Sequence, residues 1–335
     1  MSKCIAALAG KRVKMSTFEL IQLNLLSPVI LCFFLGVLAT LVKSDLRIPE
    51  PLYQGLSIYL LLAIGLKGGV AIRSYQEEGL YLAVAAAVAL SALIPLWCYP
   101  VLKKLGKLKD IDAAAMAAHY GSVSVVTFLA ANAFLTHIEE FAEGFMPALV
   151  AIMEVPGIIV ALLIARRKTG KKASWISSTT NVLRGKSVFL LLGGITIGLA
   201  TGEVGFTKVE GFFVAPFYGI LCIFLLEMGM MASMRFRDIG SIGPFIIFFG
   251  MAMPVFNGVI GIGVGELCGL SRGGAFLLGV LCSSASYIAA PATIRLALPE
   301  ASPALYLTSS LGITFPFNLV IGIPLYYAIS GWICG

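Results

Sequence analysis

Long, continuous apolar runs alternate with short polar breaks along almost the whole chain. Ten runs stand out, at 26–43, 52–72, 79–102, 112–135, 145–165, 187–202, 212–234, 242–267, 274–297 and 303–332. A helix needs about 20 apolar residues to cross the hydrocarbon core of a bilayer. The runs are rich in Leu, Ala, Gly and Ile and lack the period-two alternation of a membrane β-barrel. The pattern predicts an all-α integral membrane protein with ten transmembrane helices. The longest polar connection, 166–186, is only a linker in length, which leaves no room for a large soluble domain.

Composition agrees. Of 335 residues 59% are hydrophobic and 12% charged, and the mean hydropathy is +0.96, against roughly 45–50% apolar and about 25% charged in soluble domains. The seven cysteines (Cys4, Cys32, Cys98, Cys222, Cys268, Cys282, Cys334) show no paired metal spacing. Most lie in apolar runs, where Cys packs as a small hydrophobe. A net charge of +7 would suit nucleic acid, but the basic residues sit in loops beside helix ends, so the lipid bilayer and its anionic headgroups are the expected neighbours.

The loops joining spans 1–2, 3–4, 5–6, 7–8 and 9–10 carry sixteen Lys and Arg, among them Lys43, Lys103, Arg166, Arg235 and Arg295. The alternate loops carry three: Arg73, Lys208 and Arg272. The positive-inside rule then makes 166–186 a basic cytoplasmic linker and places both termini outside. The N-terminal tail, 1–25, departs from the rule with Lys3, Lys11, Arg12 and Lys14. Its apolar piece is too short for a signal-peptide core, and a start at Met15 in place of Met1 would restore the charge pattern, so residues 1–14 read as an extension.

Matches recur at an offset of 162: Gly36 with Gly198, Arg73 with Arg235, Ala113 with Ala275, and Ser122-Val123-Ser124 with Ser284-Ala285-Ser286. The offset covers five spans. An odd number makes the second copy enter the membrane from the opposite side, so two inverted five-helix repeats are expected, 26–165 and 187–335. Such repeats characterise secondary transporters, whose substrate lies near the midplane where interrupted helices meet.

That geometry points to spans 4 and 9. Span 4 contains Gly121-Ser122-Val123-Ser124 and Thr127; span 9 contains Ser284-Ala285-Ser286-Tyr287, Pro291 and Thr293. Gly121 and Pro291 are the expected helix breakers. An interrupted helix presents amide donors at the N-terminus of its second half, suited to a small anion, while freed carbonyls and hydroxyls suit Na+. Ser122, Ser124, Ser284, Ser286 and Tyr287 are thus candidate substrate ligands, and Thr127, Glu154, Thr293 and Asn318 candidate ion-coupling residues. Small residues that merely let helices approach closely would give the same composition.

Lys67, Glu154 and Glu227 are ionisable residues inside spans, where charge is costly and functional by default. Glu154 precedes Val155-Pro156-Gly157, a second breaker. A snorkelling or paired role serves Lys67 and Glu227 equally well. His119 reads as a packed, hydrogen-bonded histidine; Asn257 and Asn318 both suit the satisfaction of helix backbone, and Asn318, near Pro316, is the better site candidate.

The segments Ile48-Pro49-Glu50, Gly65-Leu66-Lys67-Gly68-Gly69, Gly121 to Thr127, Glu154-Val155-Pro156 and Pro291-Ala292-Thr293-Ile294-Arg295 resemble the sodium-dependent bicarbonate transporter family first known from cyanobacteria. The resemblance runs over nearly all of residues 26 to 331. It implies a gate domain (spans 1, 2, 6 and 7), a core domain (spans 3–5 and 8–10) and a homotrimer in the plasma membrane. It implies bicarbonate driven inward by Na+ as coupling ion, with no other cofactor, and in some members a PII-like cytoplasmic regulator. The chain departs from the cyanobacterial pattern at Ser122, where Ala is expected, at Val126, where Ser is expected, and at Tyr287, where Asp is expected. A phenol in place of a carboxylate removes a negative charge and a strong cation ligand. The linker 166–186 is shorter than in cyanobacterial members.

Other readings stay open beside Na+-coupled bicarbonate uptake. A Na+- or H+-coupled carrier of a small monocarboxylate would suit the aromatic Tyr287. An intramembrane serine enzyme would need an isolated nucleophile with a base in reach, yet the hydroxyls are duplicated and His119 has Leu281 as its counterpart. A non-transporting receptor would have little use for ionisable residues inside spans.

Overall fold

A computed structural model describes residues 17–74, 79–169, 180 and 184–335. The described residues are helical with no strand. Residues 1–14, and with them the start-site question, lie outside this range, as does much of the linker.

The elements are α1 (Thr17–Leu25), α2 (Pro28–Leu41), α3 (Glu50–Ser74), α4 (Gly79–Lys104), α5 (Asp110–Gly121), α6 (Val125–His137), α7 (Met146–Met153) and α8 (Pro156–Thr169). After the linker come α9 (Lys186–Thr207), α10 (Glu210–Phe213), α11 (Phe217–Phe236), α12 (Ile239–Ile242), α13 (Pro244–Leu267), α14 (Arg272–Ser283), α15 (Ala289–Ala297) and α16 (Pro303–Ile333).

Ten spans are expected from the sequence. Among the described residues eight helices are long and apolar enough to cross a membrane, or nine if α1 and α2, bent by 65°, form one. The remaining expected span, 274–297, is two short helices, α14 and α15, divided by residues 284–288. The bend between α1 and α2 has a local cause. Pro28 opens α2 at a position where its missing N–H costs nothing, and the Ser27 hydroxyl accepts from the Ile30 amide at 3.4 Å. The stretch read as tail thus ends in a helix, and α1 packs on α16 through Asn24, whose amide donates to the Leu319 carbonyl at 2.7 Å. That carbonyl belongs to one of two π-helical stretches of α16, Thr308–Thr314 and Asn318–Gly322, where the usual hydrogen-bond ladder is interrupted.

Two groups of helices result. In the first, α3 packs along α9, α2 along α11, and α3 against α11. Gly36 on α2 lies so close to the Leu226 carbonyl of α11 that a Cβ would collide with it, and Gly198 on α9 meets the Leu66 carbonyl of α3 in the same way. These glycines are 162 residues apart and use corresponding partner helices. In the second group, α4, α5 and α8 pack together, as do α13, α14 and α16. The most apolar stretch of α5 and α6 is buried along its whole length, whereas 33% of that of α9 and 28% of that of α10 and α11 is buried. Polar groups on α5 and α6 therefore face protein rather than lipid.

Candidate functional site

The buried span α5–α6 breaks where the repeated serines fall. Ser122 is extended (φ −100°, ψ 163°), as is Ser124 (φ −107°, ψ 113°), and the Ser124 hydroxyl accepts from the Thr127 amide at 3.2 Å to cap α6. The second break repeats this chemistry. Ser284 is extended (φ −81°, ψ 165°), and the Ser286 hydroxyl accepts from the Ala290 amide at 3.1 Å at the start of α15. The two breaks are joined to each other. The Ser124 amide donates to the Ser284 hydroxyl at 2.9 Å, and the Ser286 amide donates to the His119 carbonyl at 2.8 Å.

The breakers differ from those expected. Pro291 does not interrupt the helix; it lies in the first turn of α15, where no intrahelical acceptor awaits its missing donor. Gly121 has no positive φ and is the last residue of α5. Its size is what is needed, because a Cβ on Gly121 would collide with the Pro95 ring of α4. The breaks come instead from capping serines, which offer the backbone an alternative to the helical ladder.

The hydrogen bonds sort the five candidate substrate ligands. Ser122 donates to the Glu154 carbonyl at 3.1 Å and Ser284 to the Leu281 carbonyl at 2.8 Å, so both hydroxyl protons are engaged. The Ser124 hydroxyl accepts from the Thr127 amide and the Ser286 hydroxyl from the Ala290 amide, and the Ser124 side chain faces the Tyr287 phenol. The buried Tyr287 hydroxyl has no hydrogen-bond partner, and its ring leans on Phe315 with centroids 5.1 Å apart. The first amides of α6 and α15 add donors without intrahelical acceptors. A cavity of about 20 Å³ lies at the start of α6. Val125, Val126 and Ile288 form one side; Ser57 of α3, Ser187 of α9 and Phe224 of α11 form the other. That volume holds about one water molecule.

The candidate ion-coupling residues divide as well. Glu154 occupies the turn between α7 and α8, only 2% exposed, and its Oε2 has no hydrogen-bond partner. An uncompensated buried carboxylate costs several kcal/mol, so this oxygen calls for a cation or a proton. Thr127 and Thr293 are buried beside the breaks, the latter donating to the Ala289 carbonyl at 3.4 Å. Asn318 is already occupied: its amide donates to the Ser283 carbonyl at 2.9 Å, and its carbonyl accepts from Tyr326 at 2.9 Å.

His119 donates from Nδ1 to the Ala115 carbonyl at 2.7 Å and stacks on Tyr306, while Nε2 has no partner. It is packed and hydrogen-bonded as expected, with no hydrogen bond to a serine hydroxyl. Lys67 is exposed on α3, and Glu227 on α11 is half-buried.

Two positioning features escape the sequence pattern. Ser91 of α4 lies 2.8 Å from both the Gly121 and Met153 carbonyls and accepts from the Gly157 amide at 3.0 Å, which clamps the break of α5–α6 to that of α7–α8. Tyr120 sits 2.6 Å from Ser309 and 2.7 Å from Thr314 of the first π stretch. Because Thr314 donates to the Gly250 carbonyl at 2.7 Å, Tyr120 must donate to Thr314 and accept from Ser309. Nothing marks Ser91 among the other serines of an apolar run. The hydroxyl-rich segment Thr308-Ser309-Ser310 and Thr314 was the available signal for the second.

A multi-pass helical membrane protein whose buried spans break at capped, polar junctions belongs in form to the secondary transporters. More narrowly, the chain belongs to the Na+-dependent bicarbonate transporter superfamily, whose sequence model matches residues 28–331. No curated protein matches the chain.

Proposed function

We propose that this protein is a Na+-coupled bicarbonate uptake transporter that binds its anion where the breaks of α5–α6 and α14–α15 meet. The observation that carries the reading is the reciprocal bonding of the two breaks, Ser124 amide to Ser284 hydroxyl and Ser286 amide to His119 carbonyl. It brings two helix N-termini and two serine hydroxyls to one place, and positive helix ends with aligned donors favour an anion. Na+ is assigned to the neighbourhood of Glu154, whose buried oxygen lacks a partner. Membership of the superfamily supports both ions.

The space of about 20 Å³ at the start of α6 is lined by none of the five candidate ligands, so in this proposal an anion reaches them only when the α6 and α15 ends part from α3, α9 and α11. Motion of the second helix group against the first provides this. The corresponding contacts of Gly36 and Gly198 support the reading of two inverted five-helix repeats. A homotrimer in the plasma membrane is part of the same proposal.

Tyr287 favours a second reading. Its unpartnered hydroxyl and ring beside Phe315 suit the polar and apolar ends of a small monocarboxylate. Uptake of labelled bicarbonate into proteoliposomes at fixed pH, with and without an inward Na+ gradient, separates the two. Gradient-dependent uptake is expected; folded protein that takes up acetate or a similar acid instead, independent of Na+, would overturn the bicarbonate reading.

A further inference from the structure

A cavity of about 400 Å³ lies beside the C-terminal half of α6, beyond the break that precedes that helix. It is a cleft between the two helix groups. Ala130, Ala133 and Phe134 of α6 form one wall, and Val29 and Ile30 of α2 with Cys222 of α11 form the other. Leu23 and Asn24 of α1 and the Ser27–Pro28 bend close one end. Thr136 and His137, the last residues of α6 and both exposed, stand at the mouth with Tyr218.

The lining chooses the occupant. An apolar cavity does not hold water well, since water needs two to four polar partners, and it binds apolar molecules instead. The cleft lies between membrane-spanning helices, and the apolar surface runs on beyond it: Leu26 is 62%, Leu31 47% and Ile223 46% exposed. Along these helices the surrounding medium is bilayer hydrocarbon, and the mouth lies at its polar edge. Polar groups are gathered at the C-terminal end of α6, where the span leaves the membrane and an imidazole and a hydroxyl can meet a headgroup.

We propose that this cleft is a binding site for one phospholipid of the surrounding bilayer, with an acyl chain between α2, α11 and α6 and its headgroup beside Thr136 and His137. The chain fills space that would otherwise cost packing contacts on every wall. Since the walls belong to different helix groups, the lipid is a wedge whose presence fixes their spacing. Substrate plays no part in this binding, so it stands or falls separately from the transport reading.

Native mass spectrometry of the protein released from phospholipid vesicles into mild detergent tests it. The expected result is one phospholipid per chain that survives delipidating washes, and its loss in Ala133→Phe, which fills the cleft from α6. Cys222→Phe fills it from α11 and should give the same loss, so the test does not depend on one variant folding. Equal retention by wild type and a folded, filled variant would overturn the proposal. So would rapid modification of Cys222, as the single remaining cysteine, by a charged, membrane-impermeant thiol reagent in intact vesicles, since that outcome means a water-filled vestibule.

Discussion

The backbone amide of Ser124 donates to the hydroxyl of Ser284 at 2.9 Å, across 160 positions of sequence. The acceptor is itself anchored by donation to the Leu281 carbonyl. One hydroxyl thus fixes the end of α14 and the entry to α6 at once. Ser284→Ala leaves a buried amide unpaired, at a cost of about 1–3 kcal/mol. A lowered melting temperature with reduced uptake is expected, and an unchanged melting curve would mean the junction is held by other contacts.

Ser124 and Ser286 test a different property, because in the proposal their hydroxyls donate to the anion. Ser124→Ala loses the N-cap of α6, worth about 0.5–2 kcal/mol, Ser286→Ala loses the acceptor of the Ala290 amide, and each loses a donor to the anion. Each should raise KM for substrate by about tenfold, the equivalent of 1.4 kcal/mol. Stability falling while KM stays put would make the serines caps only.

Glu154→Gln keeps size and removes charge. The neutral amide no longer calls for a cation, so Na+-gradient-driven uptake should vanish while the protein stays folded, as read by uptake and by thermal melting with and without Na+. Wild-type coupling in this variant would remove Glu154 from the mechanism.

Ser91→Ala removes the clamp between the breaks of α5–α6 and α7–α8. It strands the Gly157 amide and takes the hydroxyl proton away from the Gly121 and Met153 carbonyls, so destabilisation of about 1–3 kcal/mol is expected, measured by chemical or thermal unfolding in detergent. Ser91→Thr, which retains the hydroxyl, should recover part of it.

Much of this arrangement was legible in the chain. Spans were visible because a bilayer demands long apolar runs, and the repeated Ser-x-Ser falls at both breaks, where Ser122 and Ser284 are extended. The cause of the breaks was less visible: Pro291 suggests an interruption, yet a proline in a first turn is tolerated and the interruption lies before it. The span 274–297 reads as one run since hydropathy cannot see that Ser284 and Ser286 have left the helical ladder. Ser91, the π stretches of α16 and the contact of Asn24 with Leu319 depend on which distant carbonyls are left without a helical donor. No local pattern carries that information.

The bend at Ser27 has a mechanical meaning. α1 is fastened to α16 by Asn24, while α2, only two residues further on, lies along α11. Neighbouring stretches of one chain therefore pack on different helices. In the proposed motion of the two helix groups, a slide of α16 past α11 would swing α1 about Ser27 or pull Asn24 off the Leu319 carbonyl, and this short helix would act as a leash on the stroke.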